Sequence, residues 1–211
     1  MDDLIIVDCQ YDFIDGTLAC AHSHEAVAWL VDFINTHEVR ALYTSDWHSE
    51  TNGSFKKNGG IWPVHCVAGS EGAALDPSFA RDIKRSVNRP SKENLFLKGL
   101  RDDVEEYSAF HGMNAEGEAL HDVASSHVYV GGIASEYCVK ETVLSLLQSG
   151  RSVTLLVSGL GWVAEEDHKK ALQELKGLGA LLVEALIFAK PAAAETASKE
   201  DFHGRDRERC R

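Results

Sequence analysis

A strand, a sharp turn and a helix follow one another without interruption in residues 127–148, HVYVGGIASEYCVKETVLSLLQ. Residues 128–130 form an apolar, β-branched run, which is typical of a strand buried on both faces of a parallel sheet. Two glycines, Gly131 and Gly132, then allow the backbone to turn sharply. The apolar residues of the following helix keep helical spacing: Val139, Val143, Leu146 and Leu147. The segment therefore predicts one strand–helix unit of a parallel sheet.

The same alternation continues along the rest of the chain. Further strands are predicted over 4–7, 40–45, 94–97, 153–157 and 181–186, and helices over 25–35, 79–85, 115–124 and 165–176. This order predicts an α/β fold, a three-layer, doubly wound parallel sheet of about six strands with helices on both faces. We expect one domain over residues 1–190 and a flexible or weakly helical tail over 191–211.

Charge and cysteine usage restrict the partners and the compartment. The 211-residue chain has a formal net charge of −12, which argues against nucleic acid or an anionic membrane surface as a partner. Its apolar runs are too short to span a bilayer, and no signal peptide precedes the first predicted strand. The five cysteines include no CxxC pair, so a disulfide framework is not expected. We expect a cytoplasmic protein.

Chemically competent side chains stand where predicted strands end. Asp8, Asp46 and Lys98 each lie at the carboxyl end of a strand, and Cys138 begins the helix that follows a fourth strand. In open parallel sheets, ligands bind at this edge, near the point where the strand order reverses. We therefore expect these four residues to meet in one crevice.

Cys138 is a candidate nucleophile because of its place on the first turn of a helix. Unpaired backbone N–H groups and the helix dipole favour negative charge there. We expect a lowered thiol pKa, and the same N–H groups can hold an oxyanion. The alternative is a buried cysteine that packs as a small hydrophobic residue.

Asp8 and Lys98 are candidates for the acid–base chemistry that a cysteine hydrolase needs. One group must take the thiol proton and later protonate the leaving amine, and Asp8 can do both with Lys98 as its counter-ion. Two proton distributions stay open: a thiol beside the Asp8 carboxylate, or a thiolate beside protonated Asp8. The alternative for both residues is a structural ion pair without catalysis.

Asp46, His48 and His65 are candidate metal ligands. Asp46 and His48 are two residues apart at a strand end, so their side chains point the same way if the strand continues. One carboxylate and two imidazoles suit one divalent ion, with Zn²⁺ as first choice and Fe²⁺ or Mn²⁺ as alternatives. A chain with ten histidines also offers such triples by chance. Cys66 is interpreted as a structural residue.

Several of these residues lie in motifs that resemble the nicotinamidase (pyrazinamidase) branch of the isochorismatase-like cysteine hydrolases. The resemblance covers nearly the whole chain to about residue 190. It rests on VDCQYDF at 7–13, DWH at 46–48, WPVHCVAG at 62–69, LKG at 97–99, YSAF at 107–110 and GGIASEYCV at 131–139. The motifs follow one another in the family's order, which makes the match specific.

The resemblance implies an activity and a set of roles. The activity is metal-dependent hydrolysis of nicotinamide to nicotinate and ammonia, a step of NAD salvage, through a cysteine thioester. A small-molecule amide is then the partner, and self-association into a homo-oligomer is expected. The implied roles are a catalytic triad of Asp8, Lys98 and Cys138, a metal held by Asp46, His48 and His65, a ring sandwich of Phe13 and Trp62, a pocket wall at Tyr107, and oxyanion donors at the N–H groups of Ala134 and Cys138 after a cis Ile133–Ala134 peptide.

Two departures from the family pattern bear on these expectations. Many members have a further His or Glu ligand where this chain has Ser54 or a neighbour, which puts the metal affinity in doubt. The loop over 14–18 is short and the stretch 158–161 lacks an acidic residue, so we expect a wider or differently shaped substrate pocket. The alternatives are a metal-free amidase for a ureido or carbamoyl amide, and a non-catalytic small-molecule-binding relative.

Overall fold

Six parallel strands form one sheet in the computed structural model, which describes residues 1–184. The strand order is β3-β2-β1-β4-β5-β6. The strands are β1 (Asp2–Val7), β2 (Val39–Asp46), β3 (Leu95–Lys98), β4 (His127–Gly132), β5 (Ser152–Leu160) and β6 (Leu181–Val183). The predicted six-stranded parallel sheet is confirmed, whereas the predicted end of the domain at residue 190 and the tail over 191–211 lie outside the described residues.

Helices cover both faces of this sheet, as predicted. The α-helices are α1 (Tyr11–Ile14), α2 (Ser23–Thr36), α3 (Ser78–Arg81), α4 (Leu120–Val123), α5 (Lys140–Gln148) and α6 (Glu165–Gly177). In β1, Leu4 and Ile6 belong to the core beneath α2, while Ile5 and Val7 belong to the core shared with α4, α5 and α6. Because both faces of the strand are buried, its sequence is a continuous apolar run instead of an alternating one.

The direction of strand addition reverses at the centre of the sheet. From β1 the chain adds β2 and β3 on one side, and then crosses to add β4, β5 and β6 on the other. The crevice of such a sheet opens between the carboxyl ends of the two central strands, here β1 and β4. Among residues 1–184, no helix combines the length and the apolar character that a membrane crossing requires.

Helix α4 is much shorter than the helix predicted over 115–124. The Asn114 side-chain oxygen accepts the N–H groups of Glu116 and Glu118, at 3.0 and 2.9 Å, and Gly117 has a φ of +82°. These contacts hold residues 114–118 in a turn, because an Asn side chain competes with helical backbone bonding. The helix consequently begins only at Leu120.

The long segment over 47–77 is irregular, as predicted. It contains two short 3₁₀ turns, Lys56–Asn58 and Glu71–Ala73, and otherwise connects β2 to α3. A segment of this length without regular structure is usually functional. The final predicted strand, over 181–186, is described only as far as β6 at Leu181–Val183, and its residues 185 and 186 lie outside the described residues.

Candidate active site

The structure brings Asp8, Lys98 and Cys138 into contact at the central crevice. Asp8 follows β1, Lys98 ends β3, and Cys138 lies in a π-helical turn, Ser135–Val139, between β4 and α5. Lys98 Nζ lies 2.9 Å from Asp8 Oδ2 and 3.4 Å from Cys138 Sγ. All three side chains are buried.

Lys98 also contacts Asp46, the residue beside it on β2. The two residues are register partners, and Lys98 Nζ donates a short hydrogen bond to Asp46 Oδ1. Burial disfavours the ammonium, but the charges of Asp46 and Asp8 outweigh it and raise the Lys98 pKa well above its usual range. Burial alone would raise the Asp46 pKa, whereas Lys98 and His48 lower it below its usual value. Lys98 is therefore an ammonium held between two carboxyl groups.

The expectation of a lowered Cys138 pKa is wrong. Burial raises the pKa of this thiol well above its usual range, Lys98 opposes the rise, and the neighbouring charges of Asp8 and Asp46 add to it. The start of a helix supplies local backbone N–H groups only, whereas two carboxyl groups approach this thiol from β1 and β2. Burial also raises the pKa of Asp8, more than Lys98 lowers it. The raised pKa values favour a resting Cys138 thiol and make Asp8 a stronger base than an ordinary aspartate.

The backbone before Cys138 faces the same crevice. The peptide between Ile133 and Ala134 is cis, as expected. Ala134 lines the pocket together with Cys138, and its N–H has no acceptor within residues 1–184. An unpaired N–H at a pocket wall can stabilise a developing oxyanion.

Asp46, His48 and His65 lie together as a group suited to a metal. One ligand atom from each lies within 4.8 Å of the others, and all three residues are buried. His48 Nδ1 lies 2.9 Å from Gly99 O and His65 Nδ1 lies 2.8 Å from Pro63 O. These carbonyls accept the Nδ1 hydrogen, so Nε2 is the atom of each ring that would bind a metal, the usual arrangement around metal-bound histidines. His48 Nε2 lies 3.6 Å from Asp46 Oδ2, another atom of the same group. The residues present fit a divalent cation.

Ser54 and Cys66 differ in their relation to this group. Ser54 lines the pocket, and its buried Oγ has no hydrogen-bond partner among the described residues. Cys66 is buried and directs its sulfur toward Gly72 O, at 3.8 Å, in agreement with a structural role. A second group of possible ligands, Asp8, Asp46 and Cys138, surrounds Lys98 Nζ, and the ammonium already supplies a positive charge there.

The predicted aromatic residues line one pocket above these groups. The pocket encloses about 510 Å³, part of it open to solvent, and Phe13, Trp62 and Tyr107 are among its walls. Trp62 Nε1 donates to Tyr107 Oη at 3.0 Å and to Glu105 Oε1 at 2.9 Å. These two bonds join the segment after β2 to the segment after β3 at the pocket wall.

Three residues that hold the site in place were not predicted from the sequence. The Gln10 amide accepts the Asp46 N–H and donates to the Asp46 carbonyl, both at 2.8 Å. Thr44 Oγ1 donates to Asp8 Oδ1 at 2.6 Å, and Asp12 Oδ2 accepts the Cys66 N–H at 2.7 Å, next to His65. Gln10 and Asp12 belong to the quoted motif at 7–13, which was a signal, whereas nothing local distinguishes Thr44.

The sequence of this chain is also similar to those of known proteins. The model of the isochorismatase domain matches residues 3–185. The chain belongs to the isochorismatase family. The nicotinamidase of Escherichia coli (strain K12) is 31% identical over 205 residues, covering 85% of this chain and 92% of the relative.

Solved structures from the nicotinamidase branch of the family share the fold of this chain. The pyrazinamidase of Pyrococcus horikoshii, in complex with zinc, has a TM-score of 0.74 and 31% identity, covering 87% of this chain and 99% of its own. PnC1 from L. infantum, in complex with nicotinate, has a TM-score of 0.74 and 29% identity, covering 87% and 92%. The expected resemblance to the nicotinamidase branch is confirmed.

Proposed function

We propose that the protein is a metal-dependent cysteine amidohydrolase that converts nicotinamide to nicotinate and ammonia. The observation that supports this most is the contact of Lys98 with Asp8 and Cys138 beside the buried group Asp46, His48 and His65. The similarity to a nicotinamidase and to a zinc-bound pyrazinamidase supports the same substrate class.

The acylation half-reaction follows from the positions of three groups. Asp8 takes the proton of the Cys138 thiol as the sulfur attacks the carboxamide carbon. The Ala134 N–H holds the tetrahedral oxyanion, and a donor of this kind typically contributes about 3 kcal/mol. Lys98 keeps the buried anionic charge compensated throughout. Asp8 then returns the proton to the departing ammonia, which leaves a thioester on Cys138.

The deacylation half-reaction uses the same residues in reverse. A water molecule attacks the thioester carbonyl while Asp8 accepts its proton, and the Ala134 N–H again holds the oxyanion. Collapse expels the Cys138 sulfur, which recovers a proton from Asp8. Nicotinic acid leaves and ionises to nicotinate in water, and the thiol and carboxylate of the resting site are restored.

One divalent ion, Zn²⁺ by preference, is proposed at Asp46, His48 and His65, with Fe²⁺ or Mn²⁺ as alternatives. When bound, such an ion supplies a Lewis acid that can orient a substrate nitrogen or a water molecule. The buried ligand group favours this hypothesis over a metal-free amidase for ureido or carbamoyl substrates. Metal analysis of the purified protein distinguishes the two, since the second hypothesis requires no stoichiometric metal.

Replacement of the nucleophile tests the proposal directly. Cys138→Ala should release no ammonia from nicotinamide, because no other group can form the thioester. Its unfolding midpoint and its affinity for nicotinate should stay close to those of the unmodified protein. Ammonia release by the variant at an undiminished rate would refute the cysteine mechanism, and an unmodified protein that binds nicotinate without releasing ammonia would favour a non-catalytic binding protein.

We further infer a cytoplasmic location and a homo-oligomer. The four cysteines among residues 1–184 are all free thiols, which fits a reducing compartment. Self-association rests on the family resemblance alone. Cell fractionation tests the first inference, and sedimentation velocity tests the second.

A further inference from the structure

A hydrogen-bonded cluster lies directly behind the backbone that presents Ala134 and Cys138. It consists of Ser135, Glu136 and His168, which we call the brace. Ser135 is buried at 1% exposure, and its Oγ lies 2.7 Å from His168 Nδ1 and 3.1 Å from Glu136 Oε2. None of the three residues lines the pocket. The brace therefore cannot touch a substrate that occupies the pocket.

The start of helix α6 contacts the brace at both Glu136 and Ser135. Glu136 Oε1 accepts the N–H groups of Val163 and Ala164, both at 2.8 Å, immediately before the helix begins. His168 lies on the first turn of that helix. Ser135 N–H donates to Gly161 O at 2.9 Å, so its backbone is also tied to the end of β5.

The proton positions in the brace follow from the donors and acceptors available. A carboxylate only accepts, so the single Ser135 hydroxyl hydrogen is directed to Glu136. Ser135 Oγ must then accept from His168, whose hydrogen is on Nδ1. Burial lowers the His168 pKa, so the ring is neutral at pH 7. The ring also stacks on Trp162, with centroids 4.4 Å apart, which restricts its rotation.

We propose that His168 is a positioning residue for the oxyanion side of the site, acting through its Nδ1–H bond to Ser135. Ser135 adjoins Ala134, a pocket-lining residue whose N–H has no acceptor within residues 1–184, and it begins the turn that holds Cys138. A displacement of about 1 Å at a reacting group can cost about 10²-fold in rate. Loss of the bond should therefore weaken stabilisation of the tetrahedral species and leave ground-state binding unchanged. The inference rests on the proposed amide hydrolysis.

A matched pair of substitutions separates the hydrogen bond from packing. His168→Asn and His168→Leu place side chains of the same branched shape and the same number of heavy atoms, and both remove the stack on Trp162, but only Asn retains a donor at the place of Nδ1. We expect kcat of the Leu variant to fall about 10-fold to 100-fold, with KM and bound metal per chain within about 2-fold of the unmodified protein. The Asn variant should recover most of the loss.

Binding of two inhibitors provides a second readout. Nicotinaldehyde can add to the Cys138 sulfur and place an oxyanion at Ala134, whereas nicotinate binds without this addition. The Leu variant should bind the aldehyde about 10-fold more weakly and nicotinate equally well. Equal kcat values for the Leu and Asn variants, or a loss confined to KM, metal content or unfolding midpoint, would overturn the positioning role. Failure of the unmodified protein to release ammonia would instead refute the proposed function, so the two failures are distinguishable.

Discussion

At the scale of single residues, Lys98 determines the electrostatics of the site. Its ammonium lies between the carboxyl groups of Asp8 and Asp46 and within 3.4 Å of Cys138 Sγ. Removing one partner of a buried charge pair typically costs 3–5 kcal/mol, because the other charge remains buried without compensation. Lys98 thus stabilises the crevice in addition to its role in the proposed reaction.

Asp8→Asn provides a prediction at this scale. Turnover should fall about 10²-fold to 10⁴-fold, because the group that accepts the thiol proton is lost. The pKa of Cys138 should fall at the same time, since the Asp8 charge raises it and Lys98 would remain. Alkylation of Cys138 by iodoacetamide at pH 7.5 should accordingly become faster, as measured by mass spectrometry of the peptide that contains it.

The Cys138→Ala variant is the control for modification at the other cysteines. Slower alkylation of Cys138 in the Asp8→Asn variant would contradict the proposed resting state, in which the thiol is protonated beside a carboxylate.

At the scale of elements, the close approach of β1 and β4 places Asp8 and Cys138 in one crevice. Val7 and Gly132 are register partners at the carboxyl ends of these strands. Gly132 has a φ of +128°, and a Cβ there would lie 2.0 Å from Val7 O, so only glycine fits. The two strands separate directly after this pair, and the crevice opens at that point.

Gly132→Ala should therefore disrupt the junction of the two strands. We expect it to lower the free energy of unfolding by at least about 3 kcal/mol, since the added methyl group meets backbone that cannot move independently. Gly150→Ala is the matched control, with a φ of +85° and no atom within 4 Å of the added Cβ. Its loss should be about 1–2 kcal/mol, which reflects backbone conformation alone. Urea denaturation measures both, and equal losses would contradict the steric argument.

At the scale of the whole molecule, the proposed metal joins a long irregular segment to the sheet. Asp46 ends β2, whereas His65 belongs to the segment over 47–77 that also supplies Trp62 to the pocket. Binding to the folded state alone stabilises a protein by mass action, by about 2.7 kcal/mol at 100 times the dissociation constant. The metal would thus hold the pocket wall in place as well as serve the reaction.

Removal of the metal should lower the thermal stability of the protein. For a chain of this size, a loss of about 2.7 kcal/mol corresponds to a decrease of about 5–11 °C in Tm. Calorimetry before and after chelation measures the change, and restored Zn²⁺ should reverse it.

The His48→Asn variant should bind less metal per chain, and its Tm should no longer respond to the chelator. His24→Asn, at an exposed histidine bonded to Asp15, should keep the response. An unchanged metal content in His48→Asn would refute the ligand assignment.

Local patterns in the sequence were sufficient for the order of the six strands and of helices α2 to α6, but not for the four-residue α1. They also placed Asp8, Asp46 and Lys98 at strand ends and Cys138 at the start of the helix after β4. Apolar periodicity reports which face of an element is buried, and strands of a parallel sheet end at a common edge. The helix predicted over 115–124 was too long because the Asn114 side chain, which the periodicity does not register, competes with helical bonding.

The tertiary structure alone decided the protonation of the site and its supporting contacts. The Cys138 pKa is raised because the sulfur is buried and because Asp8 and Asp46, distant in sequence, meet it at the crevice. His168 reaches Ser135 across 33 residues, and Thr44 reaches Asp8 across 36. Periodicity records which residues share a face of one element, but burial and charge depend on every element packed around a group. The apolar pattern of the sequence therefore determined which residues lie at the edge of the sheet. The packing of the folded chain determined their pKa values.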